Sequence, residues 1–87
     1  MFHVEFAPAA ARDVRRLDPH IRVQLLRAAT VLQEAPYPSG SGRIKMLVGK
    51  EPPEYRLRVG DYRMMFRIEG RTVIVTRVAH RSQAYRQ

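Results

Sequence analysis

Apolar and polar positions alternate along Tyr55-Arg56-Leu57-Arg58-Val59-Gly60-Asp61-Tyr62-Arg63-Met64-Met65-Phe66-Arg67-Ile68. This period of two predicts a pair of β-strands joined by one tight turn. Gly at the first loop position suits a type II′ turn, so Gly60-Asp61 is the expected connection. The register follows by counting back: Val59 opposite Tyr62, Arg58 opposite Arg63, Leu57 opposite Met64, Arg56 opposite Met65 and Tyr55 opposite Phe66. Because successive side chains point to opposite sides of a strand, Leu57, Val59, Tyr62, Met64 and Phe66 are expected to share a core face. Arg56, Arg58, Arg63 and Arg67 gather on the other.

The rest of the chain supplies the elements around this hairpin. Phe2-His3-Val4-Glu5-Phe6 alternates and reads as a short first strand with Phe2, Val4 and Phe6 inward and His3 toward solvent. Pro8 suits the first turn of a helix, which runs to about Leu17 with Ala10, Ala11, Val14 and Leu17 as its apolar stripe and Arg12, Arg15 and Arg16 outside it. Asp18-Pro19 stops that helix and starts a second, Asp being a good N-cap and Pro favoured at the next position. Ile21, Leu25, Ala28, Ala29 and Leu32 then recur at helical spacing to about Ala35. Pro36, Pro38, Gly40 and Gly42 break the helix into an irregular connection. Arg43 to Lys50 holds room for a short extended piece, stopped by Glu51-Pro52-Pro53. Thr72 to Ala79 is the most β-prone stretch and is expected to be the central strand, covered on both faces. His80 to Gln87 is polar and reads as a turn or helical end. The sum is an α+β domain spanning residues 1–87, in which an N-terminal strand and an αα-hairpin pack on one face of a small antiparallel β-sheet.

Composition sharpens this picture at a few points. A chain of 87 residues supports one core. It has no cysteine, hence neither disulfides nor a thiolate metal site, and no apolar run long enough for a membrane span. A cytoplasmic location is the resulting expectation. The net charge of +8 is uneven: residues 1–42 carry five basic against four acidic side chains, and residues 43–87 carry eleven against four. Like charges facing each other across a sheet cost roughly 0.2–1 kcal/mol, so the arginine face of the hairpin calls for an anionic partner, and Arg grips phosphate in a planar fork. Lys45, Arg67 and Arg77 are candidates to extend that surface. The face of Arg77 is open at this point, since one residue more or less in the turn at Glu69-Gly70-Arg71 reverses it. Glu51, Glu54, Asp61 and Glu69 sit at turns and strand ends with no spacing that converges on a hard cation, so no metal or other cofactor is expected.

The chemistry open to such residues is limited. Arginine does not lose its proton and so cannot be a general base; Arg56 and Arg58, with Arg63 across the hairpin, can stabilise charge that develops on a phosphate. Histidine titrates nearest neutrality, which makes His80 the best proton-transfer candidate. Tyr85 offers an aromatic face beside basic residues, a combination suited to single-stranded RNA.

Taken together, the first strand, the αα-hairpin, Lys45-x-Leu47-x-Gly49, Tyr55 to Arg63 and the terminal His80-Arg81-Ser82-x-x-Tyr85 resemble the RelE-type toxins of the RelE/ParE superfamily over essentially the whole chain. The resemblance implies the toxin of a toxin–antitoxin pair that cleaves messenger RNA without a metal, in many members only in the ribosomal decoding site. The ribose 2′-OH attacks the adjacent phosphate and leaves 2′,3′-cyclic phosphate and 5′-OH ends. By position, Arg56 and Arg58 match the basic pair on the second strand of the sheet, Arg63 the catalytic arginine on the third, Arg81 the basic position of the tail, and Tyr85 the C-terminal tyrosine. The implied partners are a cognate antitoxin, mRNA and the ribosome, and operator DNA through the antitoxin complex, with no membrane. The alternative is a ParE-like toxin acting on DNA gyrase, or a non-catalytic binding protein of the same fold. The basic hairpin favours the nuclease.

Overall fold

The computed structural model describes residues 1–84 of the chain. In order these form β1 (His3–Phe6), α1 (Pro8–Arg15), α2 (Pro19–Glu34), β2 (Ile44–Met46), β3 (Tyr55–Val59), β4 (Tyr62–Glu69) and β5 (Thr72–His80). Both helices open on proline, where the missing N–H is one that has no partner in the helix anyway. Asp18 takes the N-cap position of α2 with extended backbone, yet its side chain makes no capping bond. The break between the helices therefore comes from the backbone around Pro19, with the Asp18 carbonyl accepting from Ile21 and Arg22. Among the described residues, no helix is long and apolar enough to cross a membrane.

The five strands lie in the order β1-β5-β4-β3-β2. The hairpin register is the expected one in all five pairs from Tyr55↔Phe66 to Val59↔Tyr62. Gly60 has φ of +59° while no non-glycine residue among those described has positive φ, the sign pattern of a type II′ turn. The Arg43 to Lys50 segment contributes β2, antiparallel to β3.

Two features differ from expectation. β1 runs parallel to β5, so the sheet is mixed; a parallel neighbour needs a crossover, which the helices and the following strands provide. The centre of the sheet is β4, not Thr72–His80. β5 stands second from the edge, and Ile74, Thr76 and Ala79 on its far side are only half-buried because the helices cover one face alone.

On that covered face Ala10 of α1 and Leu25, Ala28 and Leu32 of α2 meet Leu57, Val59, Met64, Phe66, Val73, Val75 and Val78 of the sheet. Phe66 is fully buried and stacks on Tyr55, with ring centroids 5.5 Å apart. The buried valines of β5 are spaced by two and then by three. A β-bulge accounts for this: Phe66 pairs with Val75 but Met65 pairs with Arg77, leaving Thr76 as the extra residue. Thr76 Oγ1 donates to the Met65 carbonyl at 3.2 Å. The bulge, rather than the length of the Glu69-Gly70-Arg71 turn, decides that Val78 enters the core and Arg77 turns to the uncovered face.

β1 stops at Phe6, opposite Val75, so the second half of β5 has no strand on that side. α1 runs along this edge and Asp13 closes it. Its carboxylate accepts from the Val78 N–H at 2.8 Å and from Arg77 Nε and Nη2 at 2.8 and 3.2 Å. Burial pulls the Asp13 pKa up, but the hydrogen bonds from Arg77 and Val78 and the charges of Arg77 and Arg16 outweigh it, and the carboxyl titrates below its usual range.

A depressed carboxylate contributes stability that is present above its unfolded pKa and lost as pH falls through its folded one. Asp13→Asn keeps an acceptor for Val78 and removes the charge. At neutral pH it should cost about 1–2 kcal/mol, the exposed side of Arg77 being screened by solvent. That should appear as a drop in Tm of about 4–8 °C per kcal/mol. Thermal melts across the acid range should show the difference from the parent shrinking as pH falls; a constant difference would refute the charge-based account.

Candidate nucleic-acid interface

The uncovered face of β2, β3 and β4 carries the basic residues, and the hairpin register is what assembles them. Arg56 lies between Lys45 on β2 and Met65 on β4. Its neighbours leave it only 9% exposed, and its Nη1 donates to the Arg43 carbonyl at 3.2 Å. Arg58 faces Arg63 directly and is exposed. Arg63 folds back on the hairpin turn, its Nη1 donating to the carbonyls of Gly60 and Tyr62 at 3.0 and 2.9 Å. These carbonyls orient guanidiniums without neutralising them.

A charge census divides the cations into two groups. Among the described residues, Lys45, Arg56, Arg58 and Arg63 have no carboxylate within 4 Å. Arg67 is bonded to Glu69 at 2.7 Å, Arg77 to Asp13 at 2.8 Å, and Arg81 stands 3.8 Å from Asp61. The first group keeps its charge, and the donors not given to backbone carbonyls, for an external anion. The second shares it with the fold, although the exposed Arg81–Asp61 pair is worth little. Beside Arg56 the face opens into a groove of about 790 Å³, with Met65, Arg77 and Ala79 in its lining.

His80 is not brought to this face. It pairs with Tyr62, a core-side residue, and the two rings meet edge to face with centroids 5.4 Å apart. The His80 Nδ1 accepts the Ser82 N–H at 3.2 Å and lies 2.9 Å from the Ser82 hydroxyl. Since a backbone N–H can only donate, the neutral ring carries its proton on Nε2. Arg81 is anchored through its own N–H to the Asp61 carbonyl at 2.7 Å, which ties the start of the tail to the hairpin turn. Tyr85 lies outside the described residues. No group of three metal-ligating side chains gathers among the described residues.

Two contributors escaped the sequence reading. Arg43 accepts from the Arg58 N–H and from Arg56 Nη1 through its carbonyl, and its Nε donates to the Arg58 carbonyl at 3.2 Å, so it braces the basic strand. Its position directly before a β-prone piece was the available signal. Asp13 holds Arg77 from a helix 64 residues away in sequence, and no local pattern announces that contact.

Residues 4–85 match the family described as the ParE toxin of the type II toxin–antitoxin system parDE. The chain is 31% identical to toxin RelE3 of Methanocaldococcus jannaschii, covering 94% of this chain and 93% of that protein. It is 33% identical to toxin RelG of Mycobacterium tuberculosis, covering 99% and 98%. Among solved structures, it is similar to the M. tuberculosis toxin–antitoxin complex RelBE2, with a TM-score of 0.76, 30% identity and coverage of 91% and 96%. The archaeal RelE–RelB complex from Pyrococcus horikoshii shares the fold at a TM-score of 0.78 and 20% identity, covering 95% and 98%. Two helices on one face of a five-stranded sheet, a basic hairpin on the other and these likenesses along nearly the whole chain agree: the protein belongs to the RelE/ParE family of type II toxin–antitoxin toxins and is of the RelE type.

Proposed function

We propose that this chain is the toxin of a type II pair and a metal-independent endoribonuclease that cleaves messenger RNA on the ribosome. The observation that carries the proposal is the set Arg56, Arg58 and Arg63: gathered on one face by the hairpin register, against their mutual repulsion, and unpaired with any carboxylate among the described residues. A site of this kind binds a phosphodiester and stabilises the extra negative charge that develops as the ribose 2′-OH attacks the phosphorus. The 2′-OH proton passes to water as the O2′–P bond forms, the P–O5′ bond breaks, and O5′ takes a proton from water, leaving a 2′,3′-cyclic phosphate and a 5′-OH. Fixed donors aimed at developing charge need no reorganisation during the reaction, which is why such electrostatics is often the largest catalytic contribution. Arg56, nearly desolvated, is the strongest of the three in this respect, because charge interactions gain strength away from water. Lys45 extends the track for the RNA backbone.

None of the three arginines can accept the 2′-OH proton, since guanidinium stays charged. The arginines are therefore assigned binding and charge stabilisation. Proton transfer is assigned to no residue of this face, and His80 stands across the sheet from it. Tyr85, by the family resemblance, would stack on a base beside the scissile phosphate.

The partner follows from the same charge. RelE–RelB and RelBE2 are toxin–antitoxin complexes, and we infer a cognate antitoxin here, with operator DNA bound through the complex. An antitoxin that binds only the folded toxin stabilises it by mass action; acidic side chains on it would meet the basic face, so association should slow as salt rises. The second reading, action on DNA gyrase, starts from the ParE name of the matching family. It does not call for unpaired arginines in a row.

Arg58→Ala and Arg63→Ala are each expected to lower cleavage of ribosome-bound mRNA by about 10²–10³-fold, by analogy with removing one donor to a developing oxyanion. The denaturation midpoint of Arg58→Ala should stay level or rise slightly, because the substitution relieves a repulsion of a few tenths of a kcal/mol; Arg63→Ala also gives up its bonds to the Gly60 and Tyr62 carbonyls and should lose about 1 kcal/mol while staying folded. Arg12→Ala, on the exposed side of α1, should change neither. Unfolding of the Arg63→Ala protein, or parental cleavage by it, would remove this hairpin from the mechanism.

Cleavage should persist in excess EDTA and leave 2′,3′-cyclic phosphate and 5′-OH ends, read by end-specific ligation. A strict requirement for added Mg²⁺ would overturn the chemistry. Inhibition of gyrase supercoiling with no RNA cleavage would establish the second reading instead.

A further inference from the structure

The groove beside Arg56 contains one side chain that a phosphate site does not explain. Glu54 lines it and is half-buried. The Leu47 N–H donates to the Glu54 carbonyl at 2.8 Å, which carries the β2–β3 pairing one step past Met46↔Tyr55. The strand alternation therefore continues through Glu54: Tyr55 faces the core against Phe66, and Glu54 shares the uncovered face with Arg56 and Arg58. Continued by one pair, the β3–β4 register sets Arg67 across from Glu54, but Arg67 is already held by Glu69 at 2.7 Å. Among the described residues, the Glu54 carboxylate has no cation within 4 Å. An unpaired carboxylate in a basic RNA groove repels the backbone, so its use lies elsewhere on the nucleotide.

We infer that this groove is a nucleobase pocket selective for guanine, with Glu54 as the residue that reads the base; the inference rests on the RNA-cleaving function proposed above. The groove has apolar surface for a flat ring, from Met65, Ala79 and Leu47, and Val48 stands 98% exposed at its margin. Glu54 and Arg56 are two residues apart on one strand, about 6.6 Å, a spacing that lets a phosphate rest at Arg56 while the base of its own nucleotide enters the groove. A carboxylate offers acceptors only. Guanine alone presents two adjacent donors on its Watson–Crick edge, N1–H and the N2 amino group, and these match the two carboxylate oxygens. Adenine and cytosine each set a ring-nitrogen acceptor beside a single amino group, and uracil flanks its one N–H with carbonyls. Lys50, in the lining of the same groove, supplies a donor for guanine O6.

The test is binding of short oligoribonucleotides made uncleavable by a 2′-deoxy sugar at the scissile position, each with G, A, C or U at the tested position in an otherwise constant sequence, followed by fluorescence anisotropy. Guanine should bind roughly tenfold tighter than the others, the scale of one bidentate base contact. Inosine, which lacks the N2 amino group, should lose most of that advantage with the parental protein, a readout free of any folding concern. Glu54→Gln should abolish the guanine preference and favour adenine and cytosine, since an amide pairs with an adjacent donor and acceptor. Equal binding of all four bases, or a guanine preference that survives Glu54→Gln, would overturn the base pocket. If that binding is still weakened by Arg58→Ala, the RNA reading stands without it; no binding of any oligonucleotide by the parental protein, either free or held in the decoding site of a ribosome, would overturn both.

Discussion

The two-residue turn at Gly60-Asp61 sets the register on which the rest depends. With Gly60 at φ +59° the strands leave the turn with Val59 opposite Tyr62. Every later pair follows, because the strand repeat is two. One residue of slip would send Leu57, Met64 and Phe66 out to water and bring Arg58 and Arg63 into the core. Burial of fully enclosed side chains such as Leu57, Met64 and Phe66 is worth about 1.5–3 kcal/mol each. That outweighs the few tenths of a kcal/mol by which two facing, solvated arginines repel each other. The basic site is thus held together by the hydrophobic side of the same strands, and its own electrostatic cost is small enough to be carried.

A second decision is made at Thr76. Strict alternation through β5 would place Arg77 where Val78 now packs. The extra residue moves Val78 against Met64 and turns Arg77 outward, where Asp13 meets it. The same carboxylate accepts the Val78 N–H, which the end of β1 leaves without a strand partner. Bulge and carboxylate depend on each other: the bulge presents the two donors, and Asp13 satisfies both where an open strand edge would otherwise lie under a helix.

The arginines divide by whether the fold has claimed them. Arg77 and Arg67 are paired with carboxylates and contribute to the architecture of the sheet. The side chains of Arg56 and Arg63 hydrogen-bond only to backbone carbonyls among the described residues, and that of Arg58 to none. Stability alone would favour an opposite charge facing Arg58. A second arginine there makes sense for an anion that the protein itself does not supply.

By itself the sequence determined everything governed by local period and local chemistry. The hairpin register, both proline-opened helices, the face of Arg56, Arg58 and Arg63 and the apolar set of α2 are all set by neighbours within a few residues. What only the tertiary structure decided involves partners distant along the chain. The parallel seat of β1 beside β5 joins residues about seventy positions apart, and no hydrophobic period encodes that direction. The bulge left a trace, the spacing of two and then three among Val73, Val75 and Val78, but the trace gains meaning only once β4 lies alongside. The placement of His80 on Tyr62's side of the sheet follows from that same one-residue shift. Asp13 looks like any polar position on a short helix until α1 is laid along the unpaired end of β5. Its role arises from a donor left over by the end of another strand, which no stretch of sequence contains.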